Sequence, residues 1–305
     1  MRKGIISLIL ILNTLGLFAE GISYTRTDSL MVVSLLEKSC IDKPSNSMLY
    51  FGHQLLGIPY VAHTLEINKK EKLVVNLRQL DCTTFVETVL ALTMTHKELF
   101  DKQSREVSKR GLDKKSGGGN VWNVFCRHLS TVRYENGKPE GYPSRNHYFL
   151  WWAERNKAKG IVSLPIDELG TKPSFVKKQT IYIDWMTTHS EAYKMLKGNS
   201  SFITEIGKME KASNGKQMYY VPSDKCRLGK KHMSFVKDGD ILAVATKKKG
   251  LDTTHIGIAE WGSDGKLHLL NASQIHKKVV LEPMTLHTYM KKHPNNIGVW
   301  VLHVK

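Results

Sequence analysis

The run Leu73-Val74-Val75-Asn76-Leu77, followed by Asp81-Cys82-Thr83-Thr84-Phe85-Val86, decides the fold. The first five residues read as a short extended piece. Asp81 is a good helix N-cap, and beyond it Phe85, Val86, Val89, Leu90 and Leu92 mark one apolar face, so a buried helix is expected from Cys82 to about Thr95. A thiol therefore falls on the first turn of a helix. The positive end of the helix dipole beside Cys82 is expected to depress its pKa and enrich the thiolate, the form a nucleophile needs. The competing reading is a buried structural cysteine, because cysteine is among the most buried residue types.

Working outward, residues 28 to 57 read as helical around a break at Lys43-Pro44-Ser45. The segment from Lys102 to Asn120 is Lys-rich, contains Gly117-Gly118-Gly119, and reads as a mobile surface loop. From Tyr142 to about Tyr220 aromatic, helix-like text alternates with Lys-rich connections. From Val236 onward short apolar runs stand between turn residues, Ile241 to Thr246, Thr254 to Trp261, Leu267 to Ala272 and Gly298 to Val304, and these read as strands. Helices first and strands last make an α+β domain.

A thiol nucleophile needs an imidazole to take its proton, and the imidazole needs a third group to orient it. His255 is the best of thirteen histidines. In Thr254-His255-Ile256-Gly257-Ile258-Ala259, period-two alternation puts His255, Gly257 and Ala259 on one face and Ile256 and Ile258 on the other. The bland reading is a satisfied core histidine. Ser263-Asp264-Gly265 suits a three-residue hairpin loop, which pairs Gly262 with Lys266. That register carries Asn271 of the next strand diagonally beside His255, where its carbonyl can accept the imidazole N–H. A loop one residue longer or shorter would send Asn271 to the opposite face.

Composition narrows the class. The chain has 305 residues, 41% hydrophobic, with 45 Lys and Arg against 28 Asp and Glu, a net charge of +17 and four cysteines. This is globular, and four cysteines are too few to substitute for a core. Arg2 and Lys3, the apolar stretch Ile5 to Ala19 and Ala19-Glu20-Gly21 have the form of a secretory signal, expected to span residues 1–21. An uncleaved membrane anchor is the alternative. Export leaves the positive excess little access to nucleic acid, and no zinc-finger, helix-turn-helix or RNP-like pattern is present. Residues 22–305 are expected to form one domain, periplasmic and monomeric.

These residues carry a family resemblance. Asp81-Cys82-Thr83-Thr84-Phe85-Val86 resembles the D-C-S-G-F-V nucleophile motif of NlpC/P60 cysteine peptidases, Thr254-His255-Ile256-Gly257-Ile258 their H-V-G-I strand, and Leu270-Asn271-Ala272-Ser273 their I-H-A-S strand. Thr84 departs from the usual glycine, and 173 positions separate Cys82 from His255, so a large insertion, about 100 to 235, is expected. With Gly57-Ile58-Pro59-Tyr60, Ser144-Arg145-Asn146-His147-Tyr148-Phe149 and Gly250-Leu251-Asp252-Thr253-Thr254-His255, the mature chain resembles the DUF1460 branch of NlpC/P60-related amidases. The resemblance implies a papain-like core with helical insertions. It implies N-acetylmuramoyl-L-alanine amidase activity on small anhydromuramyl peptides, with no metal and no organic cofactor. Cleavage between D-glutamate and the diamino acid of a stem peptide, or non-catalytic cell-wall binding, are the alternatives.

For substrate binding, Arg145 offers a planar fork for a carboxylate, and Tyr148 or Trp151 a flat face for a sugar ring. Tyr142 and His147 belong to the same stretch, and Thr253 and Ser273 flank the strands that carry His255 and Asn271. The bland reading makes the aromatics core and Arg145 a structural ion pair. Among Cys40, Cys126 and Cys226, one disulfide has three possible pairings and no sequence rule selects among them.

Overall fold

The computed structural model describes residues 21–107 and 119–305. The expected signal segment lies, except for Gly21, outside the described residues. In chain order the elements are β1 (Ile22–Ser23), α1 (Arg26–Asp42), α2 (Ser47–Gln54), β2 (Leu73–Val74), α3 (Cys82–Val107), α4 (Gly119–Arg133), α5 (Phe149–Ala158), β3 (Val162–Ser163), α6 (Pro165–Glu168), β4 (Lys177–Thr180), α7 (Trp185–Thr188), α8 (Ser200–Ser213), β5 (Gln217–Pro222), β6 (Ile241–Thr246), β7 (Thr253–Trp261), β8 (Leu267–Ser273), β9 (Lys278–Leu281), α9 (Leu286–Lys291) and β10 (Asn296–Val304).

Eight strands form one antiparallel sheet in the order β4-β5-β10-β6-β7-β8-β9, with β3 also pairing with β10. A separate parallel pair joins β1 to β2. The sheet is covered on both sides. On one side Phe85, Val86, Val89 and Leu90 of α3 share a core with Ile241, Ala243, Ile256, Ile258 and Leu270. On the other, Leu242, Val244, Ala259, Leu269 and Val301 pack with Leu286, Tyr289 and Met290 of α9. Burial on two faces explains why all six residues of β6 are buried, an apolar run without polar alternation.

Two expectations change. Helix α3 runs twelve residues past Thr95, to Val107, and α4 begins at Gly119, so the Lys-rich segment is helical at both ends. Only residues 108–118 of it lie outside the described residues. The inserted segment is also not simply helical: it supplies β3, β4 and β5 and so extends the sheet past β10. These strands are two to six residues long, and β4, Lys177-Lys178-Gln179-Thr180, is mostly exposed, so it lacks the apolar signature of a strand. All four cysteines are free, so none of the three possible disulfides forms.

The strand-to-helix junction is held from below by Asp28. Thr25 and Asp28 make a reciprocal capping box at the start of α1. The same fully buried carboxylate accepts from the Leu77 N–H at 2.9 Å and from Arg78 Nε at 3.2 Å. Burial raises the Asp28 pKa, but the hydrogen bonds from Thr25, Leu77 and Arg78 outweigh it and hold the carboxyl below its usual value. A carboxyl with a lowered folded-state pKa contributes stability that is complete above about pH 4 and is lost as pH falls through the folded value. Asp28→Asn is therefore expected to lower unfolding stability by about 1–3 kcal/mol at pH 7. The difference from wild type should close on acidification below about pH 4, as read by urea unfolding at a series of pH values.

Candidate active site

Cys82 is the first residue of α3. The Thr84 N–H donates to Asp81 Oδ1 at 2.8 Å, and the Asp81 N–H donates to Thr84 Oγ1 at 2.9 Å. The Thr84 hydroxyl also donates to Asp81 Oδ1 at 2.8 Å. This is a capping box with threonine at the third helical position, and it explains why glycine is absent there. The cap fixes the turn that presents the thiol.

His255 sits on β7, beside an irregularity in the sheet. Val244 pairs with His255 but Ala245 pairs with Thr253, so Thr254 is an extra residue on β7. Such a bulge re-aims the neighbouring side chain. On the other edge of β7, Ile258 pairs with Leu270 and Trp261 with Leu267, and the Gly262 N–H bonds to the Lys266 carbonyl at 2.8 Å, the register expected from the three-residue loop. His255 Nε2 lies 2.9 Å from Asn271 Oδ1. Asn271 is fully buried, and its Nδ2 donates to the Leu269 carbonyl at 3.1 Å, which fixes the orientation of the amide. Oδ1 therefore faces the ring as an acceptor, Nε2 carries the proton, and Nδ1 keeps a lone pair.

Gly257 is small for a reason of packing. A β-carbon there would lie 2.8 Å from Leu269 Cδ1 and 2.9 Å from the Leu270 carbonyl oxygen. The bulk missing around His255 is space occupied by β8.

Cys82 and His255 line one cavity of about 190 Å³ with Thr83, His147, Tyr148, Trp152, Trp185, Tyr193 and Thr253. Burial pushes the Cys82 thiol up to about 11, and Asp81 adds to the rise; the Ile256 N–H and the Thr83 hydroxyl and N–H pull the other way. The expected depression is overturned because burial, reinforced by the adjacent carboxylate, outweighs the helix terminus. Burial also lowers the His255 pKa, against the raising effect of the Asn271 hydrogen bond. The resting pair is a neutral thiol and a neutral imidazole, so attack by sulfur needs proton transfer to Nδ1. A larger cavity of about 570 Å³, bordered by Lys43, Lys97, Lys237 and Lys305, is lined by neither Cys82 nor His255.

Residues 50–299 match the family model of AmiA-like proteins, described as N-acetylmuramoyl-L-alanine amidase-like. The chain belongs to this family. An N-acetylmuramoyl-L-alanine amidase from Bacteroides uniformis superposes with a TM-score of 0.71 at 33% identity, covering 85% of this chain and 97% of that one. A Bacteroides fragilis structure described as a candidate xylanase gives 0.69 at 33% identity, covering 83% and 98%. A Legionella pneumophila protein of the DUF1460 family, at 18% identity, gives 0.60 over 89% and 93% and shows the shared fold. No curated protein matches the chain.

In this amidase-like fold the expected binding residues divide. His147, Tyr148 and Thr253 line the cavity, whereas Tyr142, Arg145, Trp151 and Ser273 do not. Arg145 is not a free fork. It is buried, donates from Nη2 to Glu66 at 2.9 Å and Glu71 at 3.1 Å, and stacks on the Tyr142 ring at 4.8 Å. Trp151 is buried, with Nε1 donating to Ser213 at 2.8 Å. Buried Ser273 accepts from the His276 N–H. His147 is a wall residue whose ring meets the Tyr142 carbonyl at 2.8 Å, and burial holds its pKa well below the usual histidine value.

Sequence reasoning missed Trp152, Trp185 and Tyr193. Trp185 is carried by a single helical turn and stacks on His189. No short-range pattern marks it, because its turn is set across the chain: Gly250, with φ of 81°, accepts the Asp184 and Trp185 N–H groups on its carbonyl, and a β-carbon there would lie 2.5 Å from Asp184 Oδ1.

The neutral resting pair has a direct consequence for alkylation. The rate of Cys82 modification by iodoacetamide is expected to rise about tenfold per pH unit between about pH 7 and 10. A rate already level at pH 6 would mean a preformed thiolate and would overturn this assignment.

Proposed function

We propose that this chain is a cysteine-dependent N-acetylmuramoyl-L-alanine amidase that cleaves the lactyl amide between N-acetylmuramic acid, in its anhydro form, and L-alanine of soluble peptidoglycan fragments. The observation that carries the reading is His255, fixed by Asn271, lining the same cavity as a thiol on a helix N-terminus. Family membership supports the bond class. The leader-like residues 1–21 and the net positive charge support an exported, periplasmic enzyme meeting carboxylate-bearing fragments.

In this reading His255 Nδ1 takes the Cys82 proton as sulfur attacks the lactyl carbonyl, and a C–S bond forms. The Cys82 N–H, unpaired within the helix at its first position, donates to the oxyanion. As the C–N bond breaks, His255 returns the proton to the departing L-alanine amine, leaving a thioester on the sugar's lactyl group. Water then attacks with His255 as base, and the lactyl carboxylate leaves as the thiol is restored. Asn271 keeps Nδ1 aimed at the reaction throughout.

Mass spectrometry of a defined anhydromuropeptide tests the reading. Wild type is expected to release the free disaccharide and a peptide beginning with L-alanine. Cys82→Ala is expected to release neither, and Asn271→Ala to lower kcat by on the order of 100-fold. A disaccharide still carrying L-Ala-D-Glu would reassign the chain as a stem-peptide endopeptidase. Because burial lowers the His255 pKa, its basic form survives into mild acid, and the acid limb of kcat/KM is expected below pH 6.5.

A further inference from the structure

A buried carboxylate, Glu282, stands on the sheet face that carries Asn271. Strand β9 pairs with β8 so that Leu270 opposes Leu281 and Asn271 opposes Val280, and the Glu282 N–H continues the ladder to the Leu269 carbonyl at 2.9 Å. Opposed residues share a face, so Glu282 projects from the same side of the sheet as Leu269 and Asn271, the side that α9 covers.

The Glu282 side chain is fully shielded from solvent. His276 Nε2 lies 3.3 Å from both carboxylate oxygens, the Met284 N–H donates to Oε1 at 3.4 Å, and Oε2 has no hydrogen bond beyond that long ion-pair contact. A buried carboxylate held only by these long contacts is costly. Around it stand His276 from the turn between β8 and β9, and His268, whose Nδ1 meets the Glu282 carbonyl at 3.1 Å. Tyr289 of α9 feels the Glu282 charge, its ring lies 6.1 Å from that of His255, and the ring of His293 lies 5.0 Å from that of Tyr289. Asp81 and Cys82 come from α3 and its cap. Glu282 and Asp81 favour a protonated His255, whereas His293 opposes it.

We propose that Glu282 is a positioning residue of the active site: its buried carboxylate stabilises the His255 imidazolium formed when the S–H bond of Cys82 breaks and an N–H bond forms on Nδ1. This rests on the amidase reading above. Glu282 lowers the energy of the thiolate–imidazolium state from which sulfur attacks, in a site whose resting pair is neutral.

The test is the titration of His255 in the full mature chain, followed by histidine ¹⁵N NMR and assigned with His255→Gln. In Glu282→Gln the His255 pKa is expected to fall by about half a unit or more. Glu282→Asp, which keeps the charge, should hold it near the wild-type value. His276→Arg, at a partly exposed position, sets a permanent cation on Glu282 and should move His255 in the same direction as Glu282→Gln, which keeps the test available if the core variant fails to fold. On anhydromuropeptide, Glu282→Gln should lower kcat about threefold to tenfold with KM unchanged and shift the acid limb to lower pH. An unmoved His255 titration in both Glu282→Gln and His276→Arg would overturn the proposal, as would equal shifts in Glu282→Gln and Glu282→Asp. Wild type that releases no disaccharide would overturn the amidase reading instead, and the titrations would still decide whether Glu282 acts on His255.

Discussion

The hydrogen bond from His255 Nε2 to Asn271 Oδ1 depends on the register of β7 against β8, and much of the site depends on that bond. A slip of one residue would turn Asn271 to the opposite face and leave the imidazole free to rotate. Three features hold the register. The Gly262–Lys266 turn sets the hairpin, Gly257 lets Leu269 and the Leu270 carbonyl approach β7 closely, and Asn271 is pinned by the Leu269 carbonyl. The bulge at Thr254 then turns His255 relative to the rest of its strand.

A sheet buried on both faces gives this site its electrostatics. The core around α3 brings Cys82 against Ile256, and the core around α9 closes over the opposite side of the sheet, where Asn271 and Glu282 lie. Both members of the pair are consequently driven toward their neutral forms, the thiol upward and the imidazole downward. In the proposed reaction charge must be created, and a preorganised, partly desolvated environment gives each nearby dipole and carboxylate more leverage than it would have in water.

Much of the fold and the centre of the site could be read from local sequence. The β6 to β8 and β10 runs, the break at Lys43-Pro44-Ser45, the Asp81 cap and the hairpin loop each have a short-range physical signature, and each lies where it was expected. The extent of α3 and the strands β3, β4 and β5 were illegible because polar, exposed text such as Lys177–Thr180 becomes a strand only when a neighbouring edge supplies its hydrogen bonds. Arg145 misled for a related reason. Its partners, Glu66 and Glu71, stand more than seventy positions away, and no spacing rule joins them.

The sequence by itself determined which residues are chemically equipped: a capped thiol at Asp81-Cys82, a histidine on an apolar strand, and an asparagine placed by loop length to reach it. Those are local facts, governed by helix caps and by the two-residue period of strands. Only the tertiary structure decided what these groups do at rest and what surrounds them. Burial favoured the thiol over the thiolate expected at a helix terminus, long-range ion pairing withdrew Arg145, and strand pairing set Glu282 on the sheet face of Asn271. Desolvation and through-space charge act between groups distant in the chain, so they exist only once the chain has folded.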